Sequence, residues 1–300
     1  MKMSALVFLW AWLGFQPVAW AKVRVVTTIE TLAALAREVG RERVEVRSLS
    51  HGYEDPHVVQ AKPSLVVTLN RADLLVYVGL DLEAGWLPPL VLQSRNGKIQ
   101  RGQPGHLDCS TAVKVEDVPS APADQLRALG DVHPLGNPHY WILPRNALAV
   151  AKRMAESLTE VDPSGADAYQ KNLADFARRL AARQTEWERR AAPLRGVKIV
   201  SYHKSWSYLA GWLGLQELGY IEPKPGVPSS TQHTAQLIGL MKKQGVKLVL
   251  EESFYPHNLA KLVADKGGAR LAVLPSDVGA TPAIRDYFEL GDAVITGLLE

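Results

Sequence analysis

Two series of short β-branched runs, each run followed by a helix-forming stretch, lie on either side of one long helical segment, and that order leaves few folds open. The first series begins with Val23-Arg-Val-Val-Thr-Thr28, extended in character. Thr27 stands three residues before Glu30, the spacing of a capping box, which predicts a helix to about Val39. The alternation continues with Val44 to Leu49 as strand, Pro63 to Arg71 as helix, Leu74 to Val78 as strand and Glu83 to Gln93 as helix. From Gly97 to Pro138 the chain is rich in Gly, Pro and short polar residues, which predicts short strands and a surface loop. From Ser164 to Ala191 the apolar residues Tyr169, Leu173, Phe176 and Leu180 recur at three or four, the period of one amphipathic helix. At 1.5 Å per residue it would run about 40 Å, enough to brace two lobes.

The second series places strands at Val197 to Tyr202, Val246 to Glu251 and Leu271 to Leu274. Helices are expected over Trp206 to Leu213, Thr231 to Gln244, Asn258 to Lys266 and Ala283 to Leu299. Strands separated by helices imply parallel sheets covered on both faces. The expected fold is therefore α/β, two lobes over residues 22–160 and 194–300, each with a mainly parallel sheet flanked by helices, bridged by one long rigid helix over 161–193. With 300 residues and 47% of them hydrophobic, the chain can build such cores and is not disordered.

The first 21 residues have the layout of a secretory signal peptide: one cation at Lys2, an apolar run from Ala5 to Phe15, and the small-residue site Ala19-Trp20-Ala21. That run is shorter than the roughly 20 residues a membrane span needs, and the Ala-Trp-Ala site favours cleavage over retention as an anchor. A soluble mature chain from about Lys22, located in the periplasm, is expected. The formal charge of +3 falls by one when Lys2 leaves, and no basic block would track a phosphate backbone, so nucleic acid is not an expected partner. Cys109 is the one cysteine, which excludes both an internal disulfide and a thiolate-rich zinc site. Any metal must be held by His and carboxylates.

Eight histidines stand at 51, 57, 106, 133, 139, 203, 233 and 257. His57 in Asp55-Pro56-His57, His139 in Asn137-Pro138-His139-Tyr140-Trp141, and His203 after the strand ending at Tyr202 stand out. Ligands of open α/β sheets gather beyond the carboxyl ends of strands, where His57 and His203 are predicted to lie. Asp277, just after the strand ending at Leu274, is a fourth candidate. Three imidazoles and a carboxylate suit a borderline ion such as Zn²⁺, and four protein ligands make a closed site that carries metal rather than exposing it to water. The prolines before His57 and His139 stiffen their loops. His51 and His133 lie near these loops as auxiliary candidates; His106, His233 and His257 show no partner pattern and are expected to face solvent.

Asp55-Pro56-His57, Asn137-Pro138-His139-Tyr140-Trp141 and Tyr202-His203-Lys204-Ser205-Trp206-Ser207-Tyr208 resemble, in order, the three His motifs of the metal-binding solute receptors of bacterial ABC transporters, the cluster A-I type. Further similarity lies in Gly79-Leu80-Asp81-Leu82-Glu83-Ala84-Gly85-Trp86, Asp162-Pro163, Glu222-Pro223-Lys224-Pro225-Gly226 and Ser276-Asp277, so the likeness spans nearly the whole mature chain. The resemblance implies a monomeric, non-enzymatic carrier that holds a metal ion in a cleft and delivers it to a membrane permease. It implies His57, His139, His203 and Asp277 as ligands, with Glu251, at the end of a neighbouring strand, as the other source of the carboxylate. Asn137 departs from the Asp usual before the second Pro-His, and the loop before it is short, with His106, Asp108, Asp131 and His133. A third His, where manganese-type members use Glu, points to Zn²⁺ over Mn²⁺ or iron. Two other classes fit less well: an exported zinc hydrolase with Glu251 or Glu252 as base, which lacks a His-Glu-x-x-His segment, and a receptor for an organic solute.

Overall fold

A computed structural model describes residues 21–120, 133–224 and 227–300. The expected leader, apart from Ala21, lies outside them, as do Asp131 and the last two residues of the Glu222–Gly226 motif. Among the described residues, eight strands form two four-stranded sheets, β1 (Val23–Thr27), β2 (Val44–Ser48), β3 (Leu74–Tyr77) and β4 (His106–Asp108) in one, β5 (Lys198–Ser201), β6 (Gln216–Tyr220), β7 (Leu248–Glu252) and β8 (Arg270–Leu274) in the other. The strand orders correspond, β2-β1-β3-β4 and β6-β5-β7-β8, and every pairing is parallel. In each half the connection reverses direction beside the first strand, which opens a crevice at the carboxyl ends of β1 and β3 and of β5 and β7.

The helices are α1 (Glu30–Gly40), α2 (Pro63–Asn70), α3 (Leu87–Ser94), α4 (Pro144–Val161), α5 (Ala166–Ala191), α6 (Ser207–Leu213), α7 (Thr231–Gln244), α8 (Asn258–Gly267) and α9 (Tyr287–Leu299). Helix α5 is the expected brace. It buries Tyr169, Asn172, Phe176, Leu180, Trp187 and Ala191 along one stripe and packs on α1 and α4 of the first half and α9 of the second. Each such aromatic contributes about 1.5–3 kcal/mol by leaving water. One continuous core runs from Val25, Leu35 and Val76 through Trp141, Phe176 and Trp187 to Ile199, Leu250 and Ile295. Smaller cores lie on the outer face of each sheet, one around Leu69, Leu75 and Leu90, the other around Val200, Met241 and Val263.

Three local expectations differ from the structure. Thr27 is the last residue of β1, its hydroxyl donating to the Ile29 carbonyl at 3.0 Å, so it caps no helix; the N-cap of α1 is Ile29, which has no side-chain acceptor. The helix expected from Glu83 starts at Leu87, because residues 79–86 are used in turns. Strand β6 lies where no strand is predicted.

Candidate metal centre

His57, His133, His139 and His203 come together at the crevice, with one ring nitrogen of each within 4.8 Å of the others. Ring centroids lie 5.1 Å apart for His57 and His139, 5.3 Å for His57 and His203, and 5.1 Å for His139 and His203. His133 completes the group, its ring 5.1 Å from His57 and 5.6 Å from His139, with the two Nε2 atoms of His57 and His133 3.1 Å apart. His57 enters on the loop after β2, His203 two residues after β5, and His133 and His139 on the segment that leads into α4.

Three of the four imidazoles are oriented from outside the cluster. His57 Nδ1 lies 2.7 Å from Asp55 Oδ1, which also accepts the His57 backbone N–H at 2.9 Å. His139 repeats the arrangement: Asn137 Oδ1 accepts its backbone N–H at 3.0 Å and its Nδ1–H at 2.9 Å. An Asx-Pro-His tripeptide thus folds its own first side chain back onto the ring, with proline fixing the turn. His203 Nδ1 donates to Glu222 Oε2 at 2.7 Å. Donation from Nδ1 leaves the Nε2 lone pair as the inward ligand atom. His139 Nε2 and His203 Nε2 are buried with no hydrogen-bond partner.

Two of the imidazoles resist protonation. Burial, followed by the neighbouring imidazoles, pushes His133 down to about 3 and His139 well below its ordinary range. Burial of the Asp55 carboxyl favours its neutral form, yet its contacts with His57 outweigh that and hold it below the usual carboxylate range. Two carboxylates, Asp55 and Glu222, back the cluster at His57 and His203.

Asn137, the departure from the family pattern, has a use that Asp could not serve. Its amide Nδ2 donates to the Lys204 carbonyl at 2.9 Å and to Asp117 Oδ2 at 3.2 Å, tying the second His motif to the third across the crevice.

Asp277 lies outside the group. Its Oδ1 accepts the Thr31 backbone N–H at 2.6 Å, the Thr31 hydroxyl and the Val278 N–H at 2.9 Å, and its Oδ2 accepts the Glu30 N–H at 3.2 Å. It supplies, from the second half of the molecule, the cap that Ile29 cannot give α1. Burial pushes its carboxyl up to about 7 against these donors. Glu251, the other expected carboxylate, is also outside the group, its Oε2 2.7 Å from His257 Nδ1. Glu252 is buried beside His57, His139 and Trp141, and burial pushes it up to about 8. Exposed His51 stacks on Tyr53, 5.2 Å between centroids, away from the cluster. His106 and His233 are half-buried rather than solvent-facing, the first bonded to the Ile99 carbonyl and the Tyr77 hydroxyl, the second to the Tyr220 carbonyl; His257 is exposed.

Two parallel α/β halves joined by a long helix, with convergent imidazoles between them, define a metal-binding solute-binding protein of the ABC-transporter type. The sequence profile described as zinc-uptake complex component A, periplasmic, matches residues 25–300, and the chain belongs to that family. It is similar to the iron-binding protein YfeA of Yersinia pestis, 25% identical over 83% of this chain and 75% of the relative. It is also similar to the manganese ABC transporter substrate-binding lipoprotein PsaA of Streptococcus pneumoniae, 24% identical over 81% of this chain and 76% of the relative. The zinc-binding protein AdcA of Streptococcus pyogenes is 24% identical over 91% of this chain, which spans 55% of AdcA's length. Among solved structures, a ZnuA crystal structure superposes with a TM-score of 0.74 at 23% identity, covering 92% of this chain and 96% of the other. A manganese-bound periplasmic metal-binding protein from Candidatus Liberibacter asiaticus reaches 0.76 at 20% identity over 93% and 98%. These relatives are solute-binding proteins rather than enzymes, and the metals in their names differ.

Proposed function

We propose that this chain captures Zn²⁺ outside the cytoplasm through His57, His133, His139 and His203 and delivers it to the membrane permease of an ABC transporter. On this reading the leader of residues 1–21 is removed and residues 22–300 work as a monomer, two lobes joined by the helix. The observation that carries the proposal is the convergence of four ring nitrogens, three of the imidazoles already oriented by an outward partner. Four imidazoles suit zinc, whereas manganese prefers carboxylate oxygen, and Asp277, one of the two carboxylates expected as a ligand, is bonded to the N-terminus of α1. The Asp55 and Glu222 carboxylates behind the rings offset the charge of a divalent ion. A full protein shell favours holding the ion over activating water on it.

The test is a competition titration of the zinc-free mature protein with Zn²⁺, Mn²⁺ and Fe²⁺. Zinc should bind at least two orders of magnitude more tightly than manganese, and His57→Ala and His203→Ala should each weaken zinc by roughly 100-fold or more, beyond the loss typical of an outer-shell change. Equal retention of zinc and manganese would overturn the choice of ion, and unchanged zinc affinity in both variants would overturn the site.

A further inference from the structure

Strand β7 ends at Glu252, on the crevice side of the second sheet, and the zinc site makes no use of this residue. Glu252 is 1% exposed, and both of its carboxyl oxygens are buried without a hydrogen-bond partner among the described residues. No other carboxyl among them has both oxygens in that condition. Asp277 and Glu83 are also buried, yet the first accepts the Thr31 and Glu30 N–H groups and the second those of Val78 and Gly79. Burying a carboxyl without donors is costly, so its persistence calls for a partner that arrives from outside the chain, an ion or a water.

The surroundings of Glu252 narrow that choice. With His57, His139 and Ser205 it borders one small cavity, which has Trp141 and Phe254 among its apolar walls and about 10 Å³ free, the room of a single water-sized sphere. His57 and His139 therefore border two adjoining positions, one among the four imidazoles and one beside an oxygen donor. The Nε2 atom of His139 is itself buried and unpartnered. The two positions suit different ions. Four nitrogens complete the tetrahedron that zinc takes. Two imidazoles and one carboxylate, with positions left open, are the donor set of ferrous sites, and manganese likewise favours carboxylate oxygen and a larger shell.

We propose that Glu252 is a further metal ligand of this chain, engaged with His57 and His139 when the ion is Mn²⁺ or Fe²⁺ and left aside when it is Zn²⁺. Glu252 then determines how well the crevice takes the harder ions, while the four imidazoles determine how well it takes zinc. The proposal rests on the reading of His57 and His139 as ligands and adds the oxygen donor that the imidazole set lacks. A Glu252 that served only to fill the space under Trp141 and Phe254 would act on every ion alike, which separates the two roles experimentally.

The experiment is a set of competition titrations of the full mature chain with Zn²⁺, Mn²⁺ and, without oxygen, Fe²⁺, comparing the parent with Glu252→Gln, which keeps the volume and removes the anionic donor. Manganese and iron should each be weakened by roughly 10-fold or more, at least the loss seen for changes just outside a metal's shell. Zinc affinity should be unchanged, so that the preference for zinc over manganese widens by the same factor. In crystals of the Mn²⁺-loaded parent, anomalous scattering from manganese should place the ion in contact with a Glu252 oxygen. Should Glu252→Gln not fold, that crystal structure decides. Unchanged manganese and iron affinity in Glu252→Gln, an equal loss for all three ions, no measurable binding of manganese or iron by the parent, or a manganese ion out of contact with Glu252 overturns the proposal. Unchanged zinc affinity in His57→Ala and His203→Ala instead removes the imidazole site on which it stands, and the two failures are thereby distinct.

Discussion

Asp277 shows how a side chain's role is set by what else competes for it. Its place after β8 and its charge make it a reasonable ligand from sequence. The competing demand is the N-terminus of α1, whose own N-cap position holds Ile29 and offers no acceptor. The Asp277 oxygens accept the Thr31 and Glu30 N–H groups instead of facing the imidazoles. Nothing in the linear sequence links residue 277 to residue 31, so this contact could not be read there. His133 is legible as a neighbour of the site, but its inward position beside His57 is again a tertiary fact. Asp277→Asn should leave zinc affinity within about threefold while destabilising the zinc-free protein by about 0.5–2 kcal/mol, the usual cost of a lost helix cap. The pH dependence follows from the raised carboxyl. Between its ordinary 3.8 and about 7 the native state keeps a proton that the unfolded chain has released, so its stabilising contribution is present at low pH and lost as pH rises through about 7. The stability advantage of the parent over Asp277→Asn should shrink from pH 4 to pH 7. Thermal melts across that range measure it, and an advantage that grows with pH would sink the assignment.

At the level of elements, most strands and helices are legible because buried parallel strands are rich in Val, Leu and Ile and because the helices repeat at 3.6 residues. The misses have physical causes. Strand β6, Gln216-Glu-Leu-Gly-Tyr220, is a half-exposed edge strand whose sequence lacks a β-branched residue, and β4 is three residues long. The late start of α3 reflects the turns of residues 79–86, and those turns reach a ligand loop. The Trp86 indole N–H donates to the Pro56 carbonyl at 3.0 Å, one residue before His57, with the ring buried against the outer core. Trp86→Phe keeps most of the apolar volume and deletes this one donor. It should weaken zinc by a few-fold through a looser His57 loop and lower the zinc-free melting temperature by no more than a few degrees, since one neutral hydrogen bond is worth about 1 kcal/mol. Calorimetric zinc titration beside a melt of the same sample tests this; a large thermal loss with unchanged affinity would make Trp86 a packing residue.

On the scale of the whole molecule, the two halves behave as one body. The long helix packs on both, and a single core continues through it. Polar contacts add to the join near the site: the Trp141 indole donates to the Ser276 carbonyl at 2.7 Å, Tyr287 donates to the Trp141 and Ile142 carbonyls at 3.1 and 2.9 Å, and Tyr208 donates to the Asn137 carbonyl at 2.9 Å. Opening the crevice by a hinge would expose these groups and part of the core, each buried polar group left without a partner costing about 1–3 kcal/mol. The expected outcome is that metal entry is accommodated by the ligand loops, with the frame held still. Two measurements follow. The zinc-free protein should unfold in one cooperative transition rather than one per lobe. Free zinc at about a thousand times its dissociation constant should add roughly 4 kcal/mol to the native state, raising that single transition by on the order of 8 °C. Solution scattering before and after zinc should give the same radius of gyration within error. A two-step melt in which zinc shifts one step, or a measurable compaction on loading, would show that the lobes move independently, and the continuous core would then have to be weaker than its burial implies.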